Sequence, residues 1–366
     1  MKNYFPINKS NLGRVIILLF ILGFPGQSIA QNSAWIRPDK GTDPAIWGIR
    51  NGIVFGFWPN PIEPSREGSD GGPRGLIRVG YEYMGAVYLI NFIAVEPVVN
   101  GKMEFSEISP SKVDGKWGKF MWATDSEKAG AFYPSAISKG VISHPDPQHP
   151  EIEELSLYVH MEQFMNGAFP YFKVTIRSDR PEEIGFQIFN REGSSQMERC
   201  ALSATMGNYA RIRELHLKNK IVDSRELYTG FDEIDFIEKS AYRADQLLKD
   251  KNGDLIALAT SSESFPELSS WPQEQRYQAR WGWRYRPFFK VTQYWRKEGL
   301  YDPSLQVRVN GRARYWSGGS QDKNAYVPIP GGLSFENFEM REKYQSGQKF
   351  YFGISRKTPD EILNTK

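Results

Sequence analysis

The chain has 366 residues, of which 40% are hydrophobic and 14% aromatic, enough apolar surface for one large core and too many rings for a disordered chain. A single cysteine, Cys200, and four histidines exclude an internal disulfide framework and any cysteine-rich zinc or iron–sulfur site. The formal charge is +3, and Lys2, Lys9 and Arg14 account for all of it, so the remainder is balanced and offers no basic block for nucleic acid.

Those three cations precede an apolar run from Val15 to Phe24, and Ser28, Ile29 and Ala30 supply small residues before a cut near Ala30. The pattern predicts a signal peptide over residues 1–30 and a single large domain over 31–366, periplasmic or secreted. The apolar run is too short for a bilayer, which takes about 20 residues, and no later stretch suits one, so no stable membrane insertion is expected.

Beyond the leader, short alternating apolar runs separated by turn residues dominate. Strands are predicted at 52–58, 76–83, 87–94, 155–160, 171–177, 184–189, 288–294 and 350–354. Residues 211–223 fit a helix on their charge spacing or a strand with Tyr209, Arg211, Arg213 and Leu215 along one face, and the strand is the preferred reading. Residues 235–248 fit either a short helix or a buried strand followed by a helical turn. The turn from Asp250 to Asp254 reads as a hairpin, because Asn252-Gly253 separates two strand-like runs and the register lacks the later ligands of a calcium loop. The fold class is therefore all-β: a large antiparallel β-sandwich with long loops and few short helices.

Three segments combine rings and polar groups beyond what a plain core requires. The first, residues 47–78, carries Arg50, Trp58 and Arg74 around a glycine-rich stretch that can serve as a covering loop or a structural turn. In the second, His160 and Glu162 share a face of an extended chain, as do Tyr209, Arg211 and Arg213. Paired guanidiniums can grip a carboxylate while a phenol or imidazole moves a proton. The third holds Arg280, Trp281 and Trp283 and continues to Arg314 and Trp316. Its rings can stack on sugar faces while arginines bind hydroxyls or acidic groups.

Cys200 lies among Arg199, Ala201 and Leu202, a packing context rather than that of an activated thiolate, and no GxSxG element is present. The segments point to a polysaccharide or oligosaccharide partner. The preferred reaction is β-elimination on a uronate-containing glycan, with His160, Tyr209, Arg213 and Glu162 as catalytic residues. Arg50, Trp58, Arg74, Arg211, Arg280, Trp281, Trp283, Arg314 and Trp316 are the expected substrate contacts. His160, Tyr209 and Arg213 should then converge in a cleft lined by Trp281 or Trp283. Hydrolysis is the alternative, needing two carboxylates about 5–9.5 Å apart, with Glu82, Glu162 and Glu182 as candidates. Noncatalytic glycan binding is the third reading. No cofactor is expected, and calcium has no positive motif.

The leader and the stretches 47–50, 71–81, 204–211 and 330–339 resemble secreted proteins of glycan-using bacteria. The broader resemblance is to large β-sandwich proteins that bind or cleave polysaccharides, including lyases with a Tyr/His/Arg centre. It implies a substrate class and leaves the residue roles to the reading above.

Overall fold

The computed structural model describes residues 33–40, 43–57, 74–129, 138–205, 210–262, 283–285, 291–315 and 327–364. Their strands, numbered β1–β24 along the chain, form two sheets of 11 strands and a two-stranded ribbon. Sheet I runs β1 (Trp35–Ile36), β2 (Ile46–Ile49), β3 (Ile53–Gly56), β4 (Leu76–Tyr83), β5 (Ala86–Val99), β12 (Arg199–Thr205), β23 (Ser334–Arg341), β20 (Gln306–Arg312) and β15 (Ser240–Arg243). On β5 it also carries β6 (Lys102–Met103) and the parallel β18 (Trp283–Tyr285). Sheet II runs β14 (Ile221–Asp223), β13 (Ile212–His216), β17 (Leu255–Ser261), β19 (Thr292–Lys297), β24 (Gln348–Ser355), β11 (Arg180–Asn190), β10 (Pro170–Arg177), β9 (Glu154–Met161) and β7 (Met121–Thr124). Here β8 (Val141–Ser143) adds to β9, and β16 (Leu248–Lys249) to β17; β21 (Arg314–Tyr315) and β22 (Val327–Pro328) make the ribbon.

The alternation read from the sequence decides which face of each strand is buried. In β9, Leu155, Leu157, Val159 and Met161 enter the core between the sheets, which leaves Ser156, Tyr158 and His160 on the outer face. The same core takes Ile77, Val79, Ile93, Val95, Leu202 and Phe338 from sheet I. The two layers are also pinned by hydrogen bonds: the Trp295 indole N–H donates to the Phe338 carbonyl (2.8 Å) and the Asn91 amide to Gln293 (2.8 Å). Residues 34–366 cluster as one compact unit, bounded as Ala34–Lys366.

The outer face of sheet I carries a second, smaller apolar cluster of Ile46, Val54, Leu76, Leu89, Phe92, Ala94 and Trp283. This explains why β5 is apolar on both faces apart from Asn91 and Glu96: both its faces are covered. Trp283 lies over Gly56 and Gly80, where an added Cβ would stand 3.0 Å from the indole. The short 235–248 segment is β15 followed by a 3₁₀ turn at Ala244–Gln246, and the Asp250 turn is the β16–β17 hairpin. Of the predicted 288–294 strand, residues 288–290 lie outside the described residues and 292–294 fall in β19, which has Trp295 as its interior residue. Residues 211–223 form a hairpin, β13 and β14, rather than one strand. Among the described residues the α-helices are two short ones, Ser224–Leu227 and Pro359–Leu363, and no helix is long and apolar enough to cross a membrane.

Candidate functional site

The outer face of sheet II collects rings and cations in two adjoining cross-strand rows. In the first, Trp122 of β7, His160 of β9, Tyr171 of β10 and Phe189 of β11 stand directly opposite one another. Their ring centroids are 5.8, 5.5 and 5.2 Å apart, a ladder across four strands. The second row is Thr124, Tyr158, Lys173, Gln187 and, on β24, Lys349. At the usual strand spacing of about 4.8 Å it extends about 19 Å.

His160 is fully buried in the ladder. The Thr124 hydroxyl donates to the Ser126 carbonyl (2.6 Å) and therefore accepts from His160 Nε2 (2.9 Å), which fixes the proton on that nitrogen. Nδ1 is buried with no hydrogen-bond partner. Burial, and then the Arg191 guanidinium, push the imidazole pKa down to about 3. Arg191 itself stacks over Phe169 (4.7 Å) and Trp122 (5.1 Å), and burial lowers its pKa. Its Nη2 is buried without a partner.

The phenols differ in their surroundings. Tyr171 donates to the Glu127 carboxylate, and burial followed by that contact raises its pKa. Tyr158 is half-buried, its pKa raised by burial and by Glu127, and its hydroxyl has no hydrogen-bond partner among the described residues. Lys173 and Lys349, two strands apart with Gln187 between them, make no ion pair among the described residues. Burial lowers the Lys349 pKa, with Lys173 adding to the effect against Glu154, Glu298 and Glu183. By contrast, Arg296 farther along the same face is bonded to Glu183 (2.6 and 3.0 Å) and Asp254 (2.5 Å), and Lys297 to Glu342 (2.6 Å).

The structure separates the residues expected to converge. His160 lies on the outer face of sheet II, whereas Trp283 is packed into the apolar cluster on the outer face of sheet I, so the expected cleft lined by both does not form. Glu162 follows the end of β9 and turns away from His160. Its carboxylate accepts from Phe120 N (2.7 Å), Lys112 N (2.8 Å) and Ser111 Oγ (3.0 Å), three bonds that fasten a loop. Arg213 is buried and donates to the carbonyls of Pro330 (2.5 Å) and Gly332 (3.1 Å), tying β13 to the turn before β23. Arg211 is buried with φ 50, a left-handed residue that interrupts the extended run expected to align it with Arg213.

Arg74 forks onto Asp114 (2.8 and 3.1 Å) and stacks over Phe120. Arg50 is exposed in the turn between β2 and β3, and Arg314 pairs with Asp232 at 3.0 Å. Trp58, Tyr209, Arg280, Trp281 and Trp316 lie outside the described residues.

The carboxylates named for hydrolysis are all engaged. Besides Glu162, Glu82 accepts from Asn51 N (2.5 Å) and Gly85 N (2.6 Å), and Glu182 from Ser355 Oγ (2.8 Å) with Lys357 at 3.1 Å. A different pair, Glu96 and Glu339, lies on the outer face of sheet I. Burial, followed by Glu339, pushes the Glu96 pKa up to about 8. Burial opposes ionisation of Glu339 too, but Lys239 and Arg341 outweigh it and hold its pKa low. Lys239 Nζ contacts both carboxylates (3.1 and 2.7 Å), filling the gap in which a hydrolase holds the scissile bond. Among the described residues no three His, Cys, Asp or Glu side chains group as metal ligands.

The sequence reading missed Trp122, Tyr158, Tyr171, Lys173, Gln187, Lys349 and Arg191. A signal was present: the solvent-side positions of the 155–160 and 171–177 strands hold Tyr158, His160, Tyr171 and Lys173 beside Ser156 and Thr175. Comparisons with protein-family models, with curated proteins and with solved structures found no match to the chain.

Proposed function

We propose that this is an exported protein that holds an acidic polysaccharide across the outer face of sheet II. The observation that carries the reading is the set of three cations, Arg191, Lys173 and Lys349, that make no ion pair among the described residues, beside a ladder of rings, on a sheet that neutralises Arg296 and Lys297. Removing a cation from water without a counter-charge is costly, and an anionic ligand supplies that charge on binding. Gln187, between the lysines and with its amide N–H donating to the Gly347 carbonyl (3.1 Å), and Tyr158, beyond Lys173, offer further hydrogen bonds to hydroxyls. The Glu96–Lys239–Glu339 cluster, closed by its own ammonium, gives hydrolysis no comparable support.

A second reading, β-elimination on the same face, is favoured by one feature. Tyr158 stands in register with Lys173, and its phenol has no hydrogen-bond partner among the described residues. In that reaction Tyr158 first gives its own proton to solvent, against the burial and the Glu127 charge that raise its pKa; the phenolate then takes the proton α to the uronate carboxylate, which the cations neutralise, and returns it to the glycosidic oxygen as that oxygen leaves and the double bond forms. His160 has no part in it, because its free lone pair is buried and its proton affinity is low.

Affinity electrophoresis of residues 31–366 in gels containing alginate, polygalacturonate or a neutral glucan tests the binding, and the ultraviolet absorbance of an unsaturated uronate tests the chemistry. Retardation by the acidic polymers alone supports the first reading. Absorbance that is lost in Tyr158→Phe while retardation persists supports the second.

A further inference from the structure

Trp117 leaves 65% of its surface exposed, on a loop over residues 104–119 that is fastened from beneath by buried charges. The Lys119 ammonium, on a side chain with 0% exposure, donates to the carbonyls of Pro110 (2.6 Å) and Gln163 (3.2 Å). Glu162 holds the loop by three bonds, and Arg74 grips Asp114 while donating to the Trp117 carbonyl (3.1 and 3.3 Å). Gly118 has φ 89, and a Cβ there would stand 2.7 Å from that of Arg74, so the chain after Trp117 admits only glycine without rearrangement. A large ring left in water on a backbone this constrained is preorganised for stacking, because little freedom remains to be lost on contact.

The loop leads directly into β7, whose Trp122 begins the ladder, and packs on Glu162 and Gln163, which continue β9 beyond His160. We infer that Trp117 is a stacking subsite for a further sugar of the same acidic polysaccharide, outside the two rows of sheet II. The inference rests on the glycan reading of that face. Continuity with it favours a glycan over a membrane, as does the loop's rigidity: its other exposed apolar residues, Ile108 and Val113, are each about half covered.

The test compares Trp117→Ala, Trp117→Phe and the Lys173→Met/Lys349→Met double variant in residues 31–366, by calorimetric titration with alginate and with a short alginate oligosaccharide. Trp117→Ala should weaken polymer binding about three- to tenfold, leave the short oligosaccharide unaffected, and be largely rescued by Phe. The double lysine variant should weaken both. Unchanged polymer affinity in Trp117→Ala, or a loss of binding to anionic phosphatidylserine vesicles in its place, overturns the subsite while leaving the glycan face standing. If the unaltered protein binds neither ligand, the glycan face itself fails and the subsite with it.

Discussion

Residues chosen for chemistry from sequence turn out to differ sharply in what their surroundings permit. His160 is held neutral by burial and Arg191, with its pKa at about 3. An unfolded imidazole binds a proton near pH 6.5, so between about pH 6.5 and 3 the unfolded chain takes up a proton that the folded chain refuses. Stability should therefore fall as pH drops through that window, and His160→Phe, which keeps a ring in the ladder, should flatten the decline; urea midpoints across the range measure both. Glu96 has the opposite sign. Its folded pKa of about 8 makes stability decrease as pH rises from about 4.5 towards 8, and Glu96→Gln should remove that slope. Glu162→Ala strands Phe120 N, Lys112 N and Ser111 Oγ and should cost about 2–4 kcal/mol by denaturant unfolding. The sequence identified His160 and Glu162 as unusual, but spacing alone cannot distinguish a buried carboxylate bonded by amides from one facing substrate.

At the scale of elements, periodicity carried most of the information. The 76–83 run is β4 to the residue, because a two-residue alternation with one face in the core leaves little choice of register. Where the pattern misled, a backbone or long-range cause is identifiable. The left-handed Arg211 breaks the extended run before β13. The candidate face was less legible, since cross-strand register decides that Trp122, His160, Tyr171 and Phe189 meet, and register is set between distant segments. The same holds for Lys239, just before β15, which spans Glu96 of β5 and Glu339 of β23. Lys239→Met leaves two buried carboxylates without their shared cation and should destabilise the protein by about 3–5 kcal/mol, read as a shift in urea midpoint. Its binding to acidic polymer should be unchanged, because the cluster lies on the other sheet from the candidate face.

For the whole molecule, the sandwich assigns its two outer surfaces different work. Sheet I turns outward an apolar cluster under β18 and an ionic cluster closed by Lys239. Sheet II turns outward an in-register band of rings and cations, of which Lys173, Lys349 and Arg191 make no ion pair among the described residues. Attraction between such a band and a polyanion is screened by salt, so binding should weaken as ionic strength rises from low values towards about 0.15 M, where the Debye length is about 8 Å. The most direct measurement is calorimetric titration of residues 31–366 with alginate and with a neutral glucan, in unaltered and Lys173→Met/Lys349→Met protein at two salt concentrations. The acidic-polysaccharide reading requires salt-sensitive binding to alginate alone, lost in the double variant with the fold intact. Equal affinity for the neutral polymer, or undiminished alginate binding by the double variant, would contradict it.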